Sequence, residues 1–300
     1  MLTLFTIPKA FRNEFGSIQQ NAIRSWAALR PACQILLVGN DEGTREMAAE
    51  TGALHIPAVE RNELGTPLLN SVFLQAERYA SSSHLCYLNA DIVLLSDFLP
   101  AIEEVYAWNA SSLIVGRRRD LDLKEPLAFG ETGWEQLFLD RINRESRLHE
   151  ITGLDYFVFP HSFWGELPPF AIGRGLWDEW LLYRARTRGA AVVDATERIT
   201  AVHQNHSYGH HPGGERGVWH GLETQRNMIL GGGLRHAYTL RDATHHLRRR
   251  GVRRRAIPFD LRRCFIQPIT TNRFVQPLLQ AGKALLPGPQ PEAREERPRV

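Results

Sequence analysis

Short apolar runs alternate with helical segments in the first third of the chain. The apolar runs, which we predict to be strands, cover residues 2–7, 34–38, 54–56 and 85–88. The intervening predicted helices cover residues 17–29, 43–51 and 67–79. Unbroken apolar runs are typical of parallel strands that are covered on both faces. This alternation therefore predicts βαβ units and an α/β fold with a mainly parallel sheet flanked by helices.

The second part of the chain has a less regular pattern. Further strands are predicted at residues 113–116, 156–159, 191–194 and 199–202, and helices at residues 134–141 and 176–186. From about residue 287 onward the chain is rich in proline and charge and has no periodicity. Such a composition predicts a disordered tail.

Composition and charge narrow the class of protein. The chain has 300 residues, with 36 basic and 33 acidic side chains and a net charge of +3, which argues against nucleic acid as the main partner. Its three cysteines, Cys33, Cys86 and Cys264, show no paired spacing. That pattern favours a reducing compartment over a disulfide framework. Without a basic leader or a run of roughly 20 apolar residues, the sequence predicts a soluble, cytoplasmic protein.

An acidic residue follows the fourth predicted strand. Asp91 stands there, with Asn89 two positions before it. Ligands of parallel sheets bind beyond the carboxyl ends of the strands. A carboxylate at that place suits a hard divalent cation that bridges two phosphates. The alternative is an aspartate that merely caps a turn.

A second acidic position lies among tryptophans, in Trp177-Asp178-Glu179-Trp180. Neighbouring side chains on a helix point about 100° apart, so one acid can face a cleft while the other meets solvent. An acid between aromatic rings is partly desolvated, which raises its pKa as a general base near neutral pH requires. The alternative is an amphipathic helix with core tryptophans and surface acids.

Four histidines cluster late in the chain: His203, His206, His210 and His211. Imidazole is a common metal ligand. On a straight strand, positions three apart lie on opposite faces, so His203 and His206 share a metal only if a turn begins between them. The alternative is a polar loop with one structural histidine.

The loop at residues 60–67 contains Asn62, Gly65 and Thr66. The glycine permits a close backbone approach, and Thr66 is suited to cap the helix that follows. Backbone N–H groups at such a helix start suit a phosphate or a sugar hydroxyl. A well-formed helix start without a ligand is the simpler interpretation.

Arginines occur in two groups. Residues 117–119 follow a strand and suit contacts with a diphosphate or an acceptor, or form a solvated edge. The C-terminal run comprises residues 248–250, 253–255, 262 and 263. It suits an anionic membrane surface or RNA, or forms a solvated basic face. The near absence of interleaved aromatic residues disfavours RNA.

The order of these motifs resembles a known superfamily over residues 1–245. The motifs are Tyr87-Leu88-Asn89-Ala90-Asp91, Trp177-Asp178-Glu179-Trp180 and His203-Gln204-Asn205-His206, with residues 5–9, 20–26, 60–67 and 173–174. Together they resemble the GT-A nucleotide-diphospho-sugar transferases, and more narrowly the family 2 glycosyltransferases. The resemblance implies one Rossmann-like GT-A domain with a mixed, mainly parallel sheet at residues 1–245. A basic extension at 246–286 and the tail at 287–300 would follow it.

The resemblance also implies roles for individual residues. Asp91 would bind a divalent metal, Mn²⁺ or Mg²⁺, which His203 or His206 would help to hold. Asp178 would be the catalytic base of an inverting reaction.

Further residues would contact the nucleotide-sugar donor. Thr6 and Pro8 would flank the nucleobase, and Asn62 and Thr66 would line the donor site. Asn89 stands where this superfamily has the first aspartate of its DxD motif. An amide carries no charge, so the metal would bind weakly or arrive with the donor.

The sequence thus predicts an enzyme, a hexosyltransferase-like glycosyltransferase that moves a sugar to an acceptor hydroxyl. A nucleotidyltransferase is a rival, but it would carry a glycine-rich loop after the first strand, and here no glycine precedes Gly16. A non-catalytic nucleotide- or glycan-binding module is a second rival, favoured by Asn89. An adaptor that uses the C-terminal arginines is a third.

Overall fold

A computed structural model describes residues 2–207 and 213–255 of the chain. The strands are β1 (Leu2–Thr6), β2 (Gln34–Val38), β3 (Leu54–Ile56), β4 (His84–Leu88), β5 (Ile92–Leu94), β6 (Leu113–Val115), β7 (Arg119–Leu121), β8 (Arg147–Leu148), β9 (Tyr156–Pro160), β10 (Val192–Asp194), β11 (Ala201–Gln204), β12 (His245–Arg248) and β13 (Gly251–Arg254). The α-helices are α1 (Asn13–Ala28), α2 (Thr44–Thr51), α3 (Leu69–Tyr79), α4 (Phe98–Trp108), α5 (Trp134–Glu145), α6 (Trp177–Thr187), α7 (Gly214–His220) and α8 (Leu222–Leu230).

Nine strands form the central sheet, in the order β13-β12-β10-β6-β9-β4-β1-β2-β3. Strands β3, β2, β1 and β4 run parallel to one another, and so do β6, β10 and β12. Strand β9 lies between these two groups and is antiparallel to both β4 and β6. The mixed, mainly parallel α/β sheet flanked by helices is confirmed, and it is the architecture that the GT-A resemblance implies.

Alternate residues of the central strands enter two different cores. In β1, Leu4 packs in one cluster with Trp26 of α1, whereas Phe5 packs in the other with Phe73 of α3. All four side chains are buried, and a buried side chain of this size contributes about 1.5–3 kcal/mol. Because both faces are covered, the strands read as unbroken apolar runs rather than alternating ones.

A second sheet of four strands, in the order β5-β11-β7-β8, was missing from the sequence prediction as a unit. Its register places His203 of β11 opposite Ile92 of β5 on one side and opposite Asp120 of β7 on the other. The indole N–H of Trp26 donates to the carbonyl of Ile92 at 2.8 Å and ties this sheet to α1. The second sheet therefore brings late histidines to the end of β4.

The start of α3 differs from the prediction. The helix begins at Leu69, and no side chain caps it, so the expected cap by Thr66 is not formed. The reason is that Leu68 forms an isolated bridge with Ala171, and this pairing keeps the backbone extended just before the helix.

The C-terminal part of the described chain joins the sheet edge. Strand β12 runs parallel to β10, and the β12–β13 hairpin extends the sheet beyond residue 245. Part of the C-terminal arginine run lies on this hairpin, whereas residues 262 and 263 lie outside the described residues. Among residues 2–207 and 213–255, no helix has the length and apolar character that crossing a bilayer requires.

Candidate functional site

Three side chains converge at the carboxyl end of β4. Asp91 lies in the short connection between β4 and β5, and its Oδ2 is 3.7 Å from Nε2 of His203 and 3.3 Å from Nε2 of His206. One ligand atom from each residue lies within 4.8 Å of the other two. Strand β11 ends at Gln204, so the chain turns before His206 and both imidazoles reach the same carboxylate. The two histidines that sequence analysis placed next to them, His210 and His211, lie outside the described residues.

The electrostatics of this group match a cation site. Burial opposes the ionisation of Asp91, but His203 and His206 outweigh it and hold the pKa of Asp91 well below its usual range. Burial likewise opposes the charging of His203, but the Asp91 and Asp120 carboxylates outweigh it and raise the pKa of His203. Oδ1 of Asp91 is buried and has no hydrogen-bond partner among the described residues. A carboxylate with one oxygen beside two imidazoles and the other oxygen buried without a partner fits a divalent metal ion.

The atoms that would coordinate the ion also determine which metal fits. One carboxylate oxygen and two imidazole nitrogens suit Mn²⁺ and the later transition metals, whereas Mg²⁺ strongly prefers oxygen. Asp91, His203 and His206 therefore form a group that could hold Mn²⁺ in preference to Mg²⁺.

A network of charged side chains lies next to Nδ1 of His203, the ring nitrogen on the side away from Asp91. Nδ1 of His203 is 3.5 Å from Oδ1 of Asp120, and the other carboxylate oxygen of Asp120 is 2.6 Å from Nδ1 of His149. Arg118 donates from Nε to Asp120 at 2.9 Å and from Nη1 to both oxygens of Asp155 at 3.0 Å. A carboxylate on the far nitrogen of a ligating histidine fixes the tautomer and the ring orientation. Asp120 thus lies where a carboxylate could orient His203, although the 3.5 Å separation is longer than a hydrogen bond.

Asn89 has a structural partner at each end of its amide. Its Nδ2 donates to Oδ1 of Asp155 at 2.6 Å, and its Oδ1 accepts from the hydroxyl of Tyr87 at 3.2 Å. The backbone N–H of Asn89 also donates to the carbonyl of Asp155 at 3.0 Å. The amide is the group that fits here, because a carboxylate would face a second carboxylate.

We therefore expect Asn89→Asp to destabilise the protein and to leave its affinity for Mn²⁺ no higher. The substitution removes the donor to Asp155 and sets two carboxylates together, which costs about 1–3 kcal/mol. Thermal unfolding and a Mn²⁺ titration measure the two effects. Asn109→Asp is the matched control, because among the described residues the Asn109 side chain makes one hydrogen bond, in which its Oδ1 accepts from the N–H of Ser111. Tighter Mn²⁺ binding at unchanged stability would contradict this account.

Asp178 lies in the first turn of α6, next to buried Trp177 and Trp180. Burial, together with the charge of Glu179, raises the pKa of Asp178 well above its usual range. The residue before the helix, Leu176, has a φ of 82°. A left-handed backbone at a non-glycine residue is strained, and such strain clusters at functional sites.

Tyr87 links Asp178 electrostatically to the end of β4. Burial raises the pKa of the Tyr87 hydroxyl, and the charges of Asp91, Asp155 and Asp178 raise it further. The ring of Trp177 packs edge-on against Tyr87, with the two centroids 5.3 Å apart. Both acids that sequence analysis selected, Asp91 and Asp178, therefore act on the same hydroxyl.

A cleft of about 930 Å³ borders the group formed by Asp91, His203 and His206. Phe15 lines it and lies against His206, with ring centroids 5.0 Å apart, and Ser207 lines it as well. Its lining carries four basic side chains, among them Lys9 and Arg174, against the two acids Glu14 and Asp41. Neither Asp91 nor Asp178 is a lining residue of this cleft. Its volume and charge suit a phosphorylated ligand.

The predicted donor-binding residues take different places around this cleft. Pro8 and Thr66 line it. Asn62 lies behind it, where its Oδ1 accepts from the backbone N–H groups of Leu64 at 3.0 Å and Thr66 at 2.9 Å. Thr6 is fully buried at the end of β1 and is not a lining residue.

A buried glutamate that the sequence analysis missed organises the cleft wall. Glu223 of α8 accepts from Nε of Arg174 at 2.6 Å and from Nδ2 of Asn62 at 2.6 Å. Burial opposes the ionisation of Glu223, but its hydrogen bonds with Thr66, Asn62 and Arg174 outweigh burial and lower its pKa. Asp120 and Asp155 were missed in the same way. No local pattern singles out any of the three acids, because their partners lie far away along the chain.

The solved structures to which the chain is similar include several of one enzyme. The first is glucosyl-3-phosphoglycerate synthase from Mycobacterium tuberculosis in complex with Mg²⁺ and uridine diphosphate, at 14% identity and a TM-score of 0.43, covering 69% of this chain and 72% of that one. The second holds Mn²⁺, uridine diphosphate and glucosyl-3-phosphoglycerate, at 12% identity and a TM-score of 0.41, with the same coverage. No family model and no curated protein matches the chain. These likenesses concern the fold alone.

Proposed function

We propose that the protein is a glycosyltransferase that moves a sugar from a nucleotide-sugar donor to an acceptor hydroxyl with inversion. The observation that carries the proposal is the convergence of Asp91, His203 and His206 beside a large, positively lined cleft. A nucleoside diphosphate needs both features, namely cations for its phosphates and room for its nucleoside.

The donor end of the reaction rests on the cleft. Lys9 and Arg174 supply positive charge to the diphosphate, while Thr66 and Pro8 form the wall beside it. Asp91, His203 and His206 would hold the divalent metal, which supplies further positive charge to the leaving diphosphate. Asn62 and Glu223 keep Arg174 and the loop at residues 60–67 in place.

The acceptor end rests on Asp178. In its ionised form this carboxylate accepts the proton of the acceptor hydroxyl while the hydroxyl oxygen attacks the anomeric carbon. The bond between that carbon and the diphosphate oxygen breaks, and the nucleoside diphosphate leaves. The raised pKa of Asp178 suits this role, because a base whose pKa lies near the working pH is the more effective proton acceptor.

A thermal-shift screen of nucleotide sugars tests the proposal. We expect Mn²⁺ to raise the melting temperature more than equimolar Mg²⁺ does, because of the two imidazole ligands. One nucleotide sugar should raise it further, because a ligand that binds only the native state stabilises that state by mass action. In Asp91→Asn, the shift caused by Mn²⁺ should disappear. Asp140→Asn, an exposed position on α5, is the matched control.

Two results of this screen would count against the proposal. Equal metal responses in Asp91→Asn and Asp140→Asn would exclude the assigned metal site. A donor that binds but is neither transferred nor hydrolysed in the presence of Mn²⁺ would instead identify a non-catalytic binding module.

A further inference from the structure

A second pocket lies at the carboxyl ends of β6 and β10, and its volume is about 240 Å³. Its charged and polar lining includes Arg117, Thr196, Arg241, His246, Arg248 and Arg255. None of these residues lines the donor cleft. The pocket therefore gathers four arginines that the proposed function does not use.

Two of these arginines keep donors for a ligand. Arg117 donates from Nε to the carbonyl of His149 at 2.5 Å, and its two terminal nitrogens have no acceptor among the described residues. The guanidinium of Arg241 likewise has no acceptor within residues 2–207 and 213–255. Arg255 differs, because its Nη1 donates to the carbonyls of Leu240 at 2.7 Å and Arg241 at 2.5 Å. It holds the backbone that carries Arg241.

The acids of the pocket are already engaged. Oδ1 of Asp194 accepts from the hydroxyl of Thr196 at 2.5 Å, and its Oδ2 is 3.4 Å from Nδ1 of His246. Glu197 pairs with Arg248. Neither carboxylate forms an ion pair with Arg117 or Arg241, and the four arginines of the lining outnumber its two acids.

We propose that this pocket binds the phosphate group of a small phosphorylated molecule. Two guanidiniums with free terminal N–H groups match the several oxygens and the double negative charge of a phosphate, which a forked donor binds bidentately. The volume of the pocket, about 240 Å³, is below the roughly 300–1,000 Å³ of a typical ligand pocket, so it suits a single phosphate with a short substituent. The proposal stands apart from the proposed transferase function.

Calorimetric titration of the metal-free protein with inorganic phosphate, at constant ionic strength, tests this pocket. We expect saturable binding that Arg241→Gln and Arg117→Gln each weaken about tenfold or more, because each removes charged hydrogen bonds. Arg241→Lys keeps the charge but not the fork, so its affinity should be intermediate. Arg249→Gln makes the same charge change at an exposed turn residue between β12 and β13, outside the pocket, and should bind phosphate like the unmodified protein. Melting temperatures of all variants show whether each is folded.

Two further titrations, with glycerol phosphate and with glycerol, test which part of the ligand the pocket recognises. Glycerol phosphate should bind at least as tightly as inorganic phosphate, whereas glycerol should not bind. The proposal is overturned by the absence of saturable phosphate binding, by unchanged binding in Arg241→Gln, or by equal weakening in Arg249→Gln. Tighter binding of succinate than of glycerol phosphate would overturn the assignment to phosphate.

Discussion

Asp178→Asn is expected to abolish sugar transfer while leaving the protein at least as stable as before. The amide cannot accept the proton of the acceptor hydroxyl, and the loss of a general base lowers turnover by about 100- to 10,000-fold. Donor binding should persist, because the donor cleft is lined by other residues. Turnover assays and a donor titration on the same sample separate the two effects.

The stability of Asp178→Asn follows from the direction of the pKa shift. A carboxyl group whose pKa is higher in the folded than in the unfolded state binds its proton more tightly when folded. It therefore favours the folded state at acidic pH, and this advantage is lost as the pH rises through the raised pKa. Asparagine does not ionise, so the variant should lack that loss and gain stability relative to the unmodified protein above neutral pH. Urea unfolding at pH 5 and pH 8 measures the difference.

Glu179→Gln is the matched control for Asp178. Burial raises the pKa of Glu179 as well, and the two residues are neighbours on the same helix turn. We expect the control to share the gain in stability and to keep most of the turnover. In the unmodified protein, kcat/KM should fall on the acidic side of its pH profile. The midpoint of that fall should lie nearer neutral pH than the ordinary pKa of an aspartate, because the pKa of Asp178 is raised. Wild-type turnover in Asp178→Asn would remove the base from the mechanism.

Glu223→Ala is expected to cause the largest loss of stability among the changes considered. The Glu223 side chain is only 6% exposed and its partner Arg174 only 13%. Alanine leaves the guanidinium of Arg174 buried without its carboxylate and the amide of Asn62 without its acceptor. Removing one member of a buried ion pair costs about 3–5 kcal/mol. Urea unfolding at neutral pH gives the value.

The pH dependence provides an independent check on Glu223. Its pKa is lowered in the folded protein, so its contribution to stability is present above its unfolded pKa and is lost as the pH falls through the folded value. The difference between Glu223→Ala and the unmodified protein should therefore shrink in acid. Glu166→Ala, an exposed loop position, should change stability by less than about 0.5 kcal/mol. A small, pH-independent loss in Glu223→Ala would mean that the pair does not hold the cleft wall.

Burial patterns explain why the strands were predictable. Gln34–Val38 forms a strand with the predicted bounds, because an unbroken apolar run fits a strand that is covered on both faces. Leu54–Ile56 also has the predicted bounds, but it lies at the sheet edge and only Ile56 is buried. Strand β5 and helix α4 were missed. Strand β5 consists of the apolar residues 92–94, and α4 begins with the apolar run 98–102. Apolar runs as short as these do not distinguish a strand from a buried helix.

The sequence pattern did not predict which strands pair with each other. Strand β9 was predicted as a strand, but its antiparallel place between β4 and β6 depends on contacts distant along the chain. That place sets Asp155 beside Asn89. A single strand pattern records which face is buried and does not record its neighbour.

The sequence by itself determined the α/β class, the strands whose carboxyl ends carry Asp91, and the candidate acids and histidines. Only the tertiary structure decided which of them meet. Strand β11 aligns His203 with Asp120, and α8 brings Glu223 to Asn62, 161 positions away along the chain. Local periodicity reports the burial of each segment, whereas a site depends on ion pairs and hydrogen bonds between segments that only the folded chain brings together.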